Sequence, residues 1–491
     1  MKRLKHILIF SIAISGCFFS CESFLDEQPY SEISSENFYK TPADAQAGIN
    51  AIYSNLGGYY SNNVWYVGDV STETANRGEL TGGLDVLEFV PTDPTFRDVW
   101  TVMYRGINFS NAALKSIPAI TMDEALKNQY LGEAKFLRAL YYFNLVRSFG
   151  DVPLITEPTV DESNNLLPRT SKDEIYQLIE KDLTEAEAVL PKNYAAAQTG
   201  RATKGAAQAL LAKVYLTRQN WQKARETAQL VISSATYSLL PDFKSVFEVT
   251  KENSAEHIFS VQFKSGNVQG VTSVNSSSFA SRNPNILLNG AISGSAVAAE
   301  RGFYSSVPDH YRKRITMVDS FPSIYYPEIT AKGKAQAGPA IMKYWDPNFG
   351  KATGGDANWI VLRYADVLLI FAEAENELNG PTAAAYVAIN KVRQRARDAN
   401  ANGTPEPAEL AALPDLAGLT KATFKAAVLD ERRMELAFEG ERRWDLLRTG
   451  TYMEVLKNSG KNAEERHLLF PIPFLEIQAN PALTQNPGYP Q

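Results

Sequence analysis

Apolar and small residues recur at helical spacing in two adjoining segments between Thr203 and Ser234. The apolar face of the first segment consists of residues three and four positions apart, namely Ala207, Leu210, Leu211, Val214 and Tyr215. After a two-residue link the pattern restarts at Trp221, and so short a link predicts two antiparallel helices. Small residues such as Ala212 and Ala224 let the two backbones approach closely. This spacing is typical of a tetratricopeptide hairpin, on which further helix pairs are expected to stack because one hairpin cannot bury its own apolar face.

Residues 1–20 are predicted to be a lipoprotein signal peptide. A basic start is followed by an apolar run, Ile7 to Ile14, which is far shorter than the roughly 20 residues that a membrane span needs. The two cysteines of the chain come next, and a lipoprotein signal ends just before the cysteine that is lipidated. We predict lipidation at Cys21, because it follows the longer apolar stretch and directly precedes the polar part of the chain. Cys17, which follows Ile-Ser-Gly, is the alternative.

The chain beyond Cys21 contains no cysteine. This excludes a disulfide framework, thiolate metal sites and a cysteine nucleophile from that part. Removal of the signal takes away three cations and changes the formal net charge from −6 to −9. A mildly acidic protein is a poor candidate for nucleic-acid binding. No later apolar run has spanning length, so the lipid alone is expected to hold the protein to a membrane.

Helical periodicity surrounds the hairpin but is lost between about residues 240 and 357. Helices are predicted for residues 43–56, from a capping box at Thr121 to residue 147, from a capping box at Ser171 to residue 190, and for 363–378, 382–396 and 429–448. In the irregular region only residues 258–263 alternate like a strand. Its Gly, Ser and Asn content and its many aromatic residues predict a functional insertion rather than a disordered one.

Aromatic residues outside the periodic helices are the candidates for ligand binding. The first group lies between Gly, Ser and Asn in a stretch predicted to be a loop, and comprises Tyr59, Tyr60, Asn63, Trp65 and Tyr66. The second group lies in the insertion and comprises Tyr304, Tyr311, Tyr325, Tyr326 and Trp345. Flat rings stack on the apolar C–H faces of sugars, while polar side chains bind the hydroxyls. The alternative is that these rings pack on the scaffold or on a partner protein. Trp100, Trp221 and Trp444 lie on periodic helices and are predicted to be core residues.

Acidic and basic residues alternate in the segment 429–448. A glycoside hydrolase needs two carboxylates that face one cleft. Here the acids Glu431, Glu435, Glu439 and Glu441 are interleaved with arginines at helical spacing, which favours an ion-pair network. We therefore predict that Glu435 and Glu439 are paired with arginines and name no catalytic residue.

Neither a metal site nor a cofactor site is predicted. The four histidines are scattered along the chain without ligand spacing. Asp346, Asn348 and Asp356 lie in a Gly-rich loop but lack the full set of spaced oxygens of a calcium loop. Phosphate-binding loops and nucleophile elbows are absent from the sequence.

Several motifs, in order along nearly the whole chain, resemble the SusD/RagB family of outer-membrane lipoproteins from Bacteroidetes. They are CESFLD from Cys21, FLRA from Phe136, FGDVPL from Phe149, KGAA from Lys204, LAKVY from Leu211, RYADVLL from Arg363, ERRMELAFEGER from Glu431, PIP from Pro471 and QNPGY from Gln485. The resemblance implies a mainly α fold of about four tetratricopeptide-like hairpins, carrying an irregular ligand-binding region within a single domain, residues 21–491. The matching motifs are scaffold motifs, so they do not identify the ligand.

The resemblance also implies a function. Members of this family are surface lids of SusC-type TonB-dependent outer-membrane transporters that capture glycans, or peptides in some members, and perform no chemistry. The aromatic residues favour a glycan over a peptide. The hypothesis from another class is a surface glycoside hydrolase, which the lack of an identifiable acid pair disfavours.

Overall fold

The computed structural model describes residues 38–78, 82–159, 166–266, 272–279, 287–288, 291–292, 296–329, 332–335, 337–349 and 354–490. The predicted signal peptide and both cysteines lie outside these residues. Within the described part of the chain, no helix is both long enough and apolar enough to cross a bilayer.

Helices dominate the first half of the chain. They are α1 (Pro42–Asn55), α2 (Gly57–Tyr60), α3 (Asn63–Trp65), α4 (Pro94–Ser116), α5 (Glu124–Phe149), α6 (Lys172–Val189), α7 (Lys204–Thr217) and α8 (Trp221–Ser233). The second half contains α9 (Asn275–Phe279), α10 (Arg301–Ser306), α11 (Tyr311–Thr316), α12 (Tyr364–Asn379), α13 (Ala383–Arg397), α14 (Pro407–Ala412), α15 (Lys421–Glu435), α16 (Arg442–Arg448), α17 (Tyr452–Asn458) and α18 (Phe474–Ala479).

The long helices stack in sequence order. Helix α4 packs on α5, α5 on α6, α6 on α7 and α7 on α8, after which α8 packs on α12, and α12 packs on α13 and α15. The predicted hairpin is confirmed as α7 and α8, and all five residues of its apolar face are buried. The mainly α, tetratricopeptide-like architecture expected from the sequence is therefore confirmed. Trp100 and Trp444 are buried as predicted, whereas Trp221, the first residue of α8, is only half-buried.

Side-chain capping explains where most of the long helices begin. The side chains of Thr41 and Ser171 accept hydrogen bonds from the backbone N–H groups three residues later, at the starts of α1 and α6. The capping box predicted at Thr121 is wrong, because the N-cap of α5 is Asp123, whose carboxylate accepts from the Leu126 N–H at 2.8 Å. An aspartate is a favoured N-cap, and its charge also complements the positive end of the helix dipole.

The loop predicted for residues 57–66 is helical instead. Helices α2 and α3 lead into a π-helical turn, Tyr66–Val70, and Tyr59 and Tyr60 contact each other edge to face, with ring centroids 4.9 Å apart. The Tyr60 hydroxyl accepts a hydrogen bond from Asn144 on α5. These short helices form although their sequences lack amphipathic periodicity, because long-range packing, rather than local propensity, stabilises them.

Short two-stranded ladders lie within the irregular region and connect it to its surroundings. The strands are β1 (Ala75–Asn76), β2 (His257–Val261), β3 (Leu287–Leu288), β4 (Ala291–Ile292), β5 (Ala298–Ala299), β6 (Met317–Val318), β7 (Ser320–Phe321), β8 (Gly333–Lys334), β9 (Ala340–Ile341) and β10 (Trp359–Arg363). All pairs are antiparallel: β1 with β5, β2 with β10, β3 with β4, β6 with β9 and β7 with β8. Strand β2 is the predicted one, and its pairing with β10 closes the base of the insertion.

Candidate ligand-binding site

Four of the ten candidate residues lie together in the insertion. Tyr326 belongs to a small apolar core with Phe321 and Met342, and the half-buried rings of Tyr325 and Trp345 pack against that core. Tyr311 joins the group through an edge-to-face contact with Tyr325, with ring centroids 5.7 Å apart. Tyr326 and Trp345 also line a cavity of about 190 Å³. We call this group of four aromatic residues and its cavity the insertion cleft.

Trp345 is the side chain of the insertion cleft that is best placed to contact a ligand. Its indole ring is half-buried, and its Nε1–H donates to Oε1 of the exposed Glu328 at 2.6 Å. The hydrogen bond fixes the orientation of the ring, while part of the ring stays in solvent. A partly exposed, oriented indole is a suitable platform for an apolar ligand face.

Tyr325 is also half-buried, and hydrogen bonds to its hydroxyl and to its backbone oxygen fix its position. Its hydroxyl accepts a hydrogen bond from Arg314 Nη1 at 3.3 Å, and its backbone oxygen accepts one from Lys244 Nζ at 2.7 Å. The neighbouring Ile324 is 85% exposed, which is the largest exposure among the exposed large hydrophobic residues that the structure describes. The rim of the insertion cleft therefore presents apolar surface to solvent.

Lys244 and Glu328 also line the cavity of the insertion cleft, and neither was a predicted site residue. Lys244 Nζ lies 4.8 Å from the centroid of the Tyr326 ring and lines the cavity together with Glu328. Glu328 follows Tyr325 by three residues, so a search for charged residues close to the aromatic cluster would have found it. Lys244 is about 80 residues away along the chain, and no local pattern connects it to the cleft.

Two further candidates are half-buried but lie elsewhere. The Tyr66 ring faces the guanidinium of Arg77, with the centroid 5.6 Å from Cζ. Tyr304 faces Lys313, whose Nζ is 4.2 Å from the ring centroid. Each ring already has a cation at its face, and neither residue lines the cavity of the insertion cleft.

The remaining candidates, Tyr59, Tyr60, Asn63 and Trp65, are buried. Trp65 is 1% exposed, and its Nε1–H donates to Asn275 Oδ1 at 3.1 Å. Its ring starts a column of aromatic contacts that continues through Phe279 and Tyr344 to Trp359. The expectation that this stretch is an exposed loop is therefore wrong. The rings of Tyr59, Tyr60 and Trp65 are buried, and the Trp65 ring packs against the insertion.

Glu435 and Glu439 belong to a buried ion-pair network, as predicted, but the cations that bind them come from outside the segment 429–448. Glu435 receives hydrogen bonds from Arg312, Arg363 and Arg395, while Glu439 is bound by Arg363 and by Lys343. Burial by itself would raise the pKa of Glu435, but the three arginines lower it well below its usual range. The prediction that Glu435 and Glu439 pair with arginines is confirmed.

This network connects the insertion to the scaffold. Arg312 and Lys343 come from the insertion, as does Glu256, which binds Arg363 and Arg395. The other members lie on β10, on the scaffold helices α13 and α15 and just after α15. The carboxylates of this network are neutralised by several cations each, so none is available as a general acid or nucleophile.

The carboxylates considered for calcium are hydrogen-bonded to the protein itself. Asp346 is 1% exposed, and its two carboxylate oxygens accept from the backbone N–H groups of Asn348 and Asp356, both at 2.8 Å. Asp356 in turn binds the backbone of Ser265 and the side chain of Lys264. These carboxylates are thus used by the protein itself. Among the described residues, no cluster of three or more His, Cys, Asp or Glu side chains has the arrangement of a metal site.

Comparison with known proteins identifies the family. SusD-like protein P25 of Formosa agariphila is 30% identical to this chain over 99% of the chain and 100% of the relative. The chain belongs to the SusD family. Residues 330–489 match the SusD family model, and residues 23–216 match a model described as starch-binding and associating with the outer membrane.

Other SusD family members support the same relationship. The starch-binding protein SusD of Bacteroides thetaiotaomicron is 32% identical over 31% of this chain and 27% of its own length. A solved laminarin-binding SusD-like protein is 28% identical and has a TM-score of 0.77 over 92% of this chain and 100% of its own. The fold of this protein is therefore a SusD-like fold over almost the whole chain.

Proposed function

We propose that this protein is a non-catalytic glycan-binding lipoprotein of the outer-membrane surface. The observation that carries the proposal is the partly exposed Trp345 ring, oriented by Glu328 at the rim of the insertion cleft. Sugar rings stack on such a platform, and the Glu328 carboxylate and Lys244 ammonium can bind hydroxyl groups beside it. The starch- and laminarin-binding relatives support glycans as the ligand class.

The geometry supports binding rather than hydrolysis. A glycoside hydrolase requires a pair of carboxylates across a cleft, one of which is protonated. The carboxylates of the acidic segment are instead buried and bound to arginines and a lysine. The proposed role is capture of an oligosaccharide or polysaccharide without cleavage.

We test the proposal by affinity electrophoresis of the chain from Glu22 onward through gels that contain laminarin, starch or another polysaccharide. Retardation by one polysaccharide supports glycan binding, and Trp345→Ala is expected to remove most of it. Leu230→Ala is the matched control, because Leu230 is a solvent-exposed apolar residue of the scaffold helix α8. Equal retardation of the two variants would show that the insertion cleft is not the binding site.

The membrane attachment and the partner are further parts of the proposal, and the resemblance to the family supports them. The predicted lipid is at Cys21, with Cys17 as the alternative, and mass spectrometry of the membrane-extracted protein distinguishes the two. The proposed partner is a SusC-like TonB-dependent transporter that receives the glycan. Deletion of that transporter is expected to abolish glycan uptake while surface binding of the glycan persists. Loss of binding together with uptake would contradict a separate capture step.

A further inference from the structure

A second groove lies between α4 and the C-terminal segment. Its volume is about 830 Å³, and it shares no lining residue with the insertion cleft. Its lining comes from α4, from the segment that follows α5 and from α18 together with the residues just after it. This volume is within the range of small-molecule sites and is more than four times that of the insertion cleft cavity.

The floor of the groove is aromatic and held in place. Tyr104 is partly exposed, and its hydroxyl donates to the backbone oxygen of Pro153 at 2.9 Å. Its ring packs against Trp100, with centroids 5.0 Å apart, and Trp100 is supported from below by Phe149. The Tyr104 ring is thus a fixed surface rather than a mobile side chain.

A half-buried carboxylate stands beside this aromatic floor. Glu476 on α18 lines the groove, and no described cation lies within 4.0 Å of its carboxylate oxygens. Burial raises the pKa of Glu476, and a hydrogen bond from the Trp100 indole opposes that rise. A carboxylate has about four acceptor positions, and one donor leaves most of them unused. Hydroxyl donors from a ligand would compensate the cost of this partial burial.

Hydrogen-bond donors lie at the rim of the groove. Arg105 is exposed, and its guanidinium forms no ion pair with the described residues. Asn108 uses its Oδ1 to accept from the Thr159 N–H at 2.8 Å, and its Nδ2 donates to no group in the described part of the chain. The groove therefore combines an apolar ring with one strong acceptor and two donor groups.

This combination distinguishes the groove from a larger cavity in the described part of the chain. That cavity, of about 1120 Å³, has the chemistry of an ionic surface, because it is lined by two aspartates and by five cations, Arg147, Arg169, Lys172, Arg218 and Arg448. The groove with Tyr104 and Glu476 instead has the pattern that recognises a neutral polyhydroxylated ring, because its carboxylate disfavours anions and its arginine disfavours cations.

We propose that this groove is a second carbohydrate subsite, with the Tyr104 ring as the stacking surface and Glu476, Arg105 and Asn108 as the groups that bind hydroxyls. The proposal rests on glycan binding by this protein. The groove would add a glycan-binding region on the scaffold, so the same protein molecule could hold one long glycan or two separate glycans. Two attachment points raise the overall affinity for a polysaccharide above that of either subsite.

Hydrogen–deuterium exchange of the chain from Glu22 onward, with laminarihexaose, maltohexaose and cellohexaose each at millimolar concentration, tests the inference. Protection of peptides from 94–116 and 474–483 by one of the sugars supports the groove. Protection confined to 311–349 overturns the second subsite and leaves the proposed function intact. Protection of the groove alone supports the subsite and moves the main site away from the insertion cleft. If none of the three sugars protects any peptide, both the second subsite and the proposed glycan-binding function are overturned.

Point variants separate binding from folding. Glu476→Gln keeps the shape of the side chain and an acceptor for Trp100, so the fold is expected to persist while the affinity of the groove falls about tenfold. Arg105→Ala removes an exposed side chain and is expected to reduce protection of the same peptides. Glu226→Gln on the solvent side of α8 is the control. Unchanged groove protection in Glu476→Gln and in Arg105→Ala would overturn the assignment of these residues.

Discussion

Arg363 binds Glu439 through two parallel hydrogen bonds, from Nε to Oε2 at 2.7 Å and from Nη2 to Oε1 at 2.9 Å. Both side chains are almost entirely buried, at 1% and 4% exposure. Arg363 is the last residue of β10, and Glu439 follows the end of α15. The pair therefore joins the base of the insertion to a scaffold helix at a point that water does not reach.

Removal of this arginine is expected to be costly. Arg363→Met leaves Glu439, Glu435 and Glu256 without one of their cations, so the free energy of unfolding should fall by about 3–5 kcal/mol. Urea denaturation followed by circular dichroism measures the change. Arg97→Met is the matched control, because Arg97 and its partner Asp98 are both about half-exposed and such a pair contributes less than about 1 kcal/mol. Similar losses in the two variants would contradict a structural role for the buried network.

The pH dependence of stability can be tested at Glu252. Burial, against a hydrogen bond from the Asn358 N–H and together with the charges of Asp356 and Asp346, raises the pKa of this carboxyl from about 4.5 to about 7. A raised pKa in the folded protein stabilises the fold below about pH 4.5, and this contribution is lost as the pH rises through 7. Glu252→Gln should therefore melt at a higher temperature than the parent at about pH 8, with the difference vanishing near pH 4.5. A lower melting temperature for the variant at about pH 8 would contradict the assignment.

The two tryptophans of the original candidate set should behave differently. Trp65→Ala removes a ring that is 1% exposed, so we expect a loss of about 3–5 kcal/mol in the free energy of unfolding. Trp345→Ala removes a half-buried ring, so its loss in the free energy of unfolding should be roughly half that of Trp65→Ala or less. Chemical denaturation of both variants, with glycan retardation of each variant that folds, measures the contrast. A stable Trp65→Ala protein that has lost glycan binding would restore Trp65 as a binding residue.

Close backbone contact makes one glycine irreplaceable. A Cβ atom on Gly68 would lie 2.4 Å from the backbone oxygen of Gly440, and neither backbone can move away without disturbing its own element. Gly68→Ala is expected to lower the melting temperature by several degrees or to prevent folding. Gly302→Ala is the control, because no atom lies within 4 Å of its added Cβ and the residue belongs to the helix α10. A Gly68→Ala protein with an unchanged melting temperature would show that Gly68 and Gly440 are not in close backbone contact.

The scaffold was predictable from sequence because its signals are local. In α7 and α8 the apolar residues repeat every three to four positions, and these helices are the predicted hairpin. Glu435 and Glu439 are paired with arginines as predicted, but none of their partners lies in the segment 429–448 that suggested the pairing. Those partners could not be identified from sequence, because they lie 40 or more residues away in the chain and reach the network only through the tertiary fold.

The candidate site was less predictable because burial is a property of the whole fold. Trp65 follows Asn62-Asn63-Val64 in a sequence that looks like a loop, but Asn275 and Phe279, 210 and 214 residues further along the chain, contact its buried ring. Trp345 has a similar local sequence context but remains at the surface. Composition identified the aromatic residues, and only tertiary contacts separate the structural rings from those that a ligand can reach.

The buried ion network sets the limits for exchanging recognition loops between members of this family. A graft that begins after Glu256 and ends before Arg312, or that lies between Arg312 and Lys343, keeps all three insertion members of the network in place. A graft that replaces one of these three residues leaves buried carboxylates or guanidinium groups without partners, unless the graft has a side chain of the same charge at that position. Engineered changes of specificity should therefore be designed as inserts that leave these three ion-paired residues unchanged.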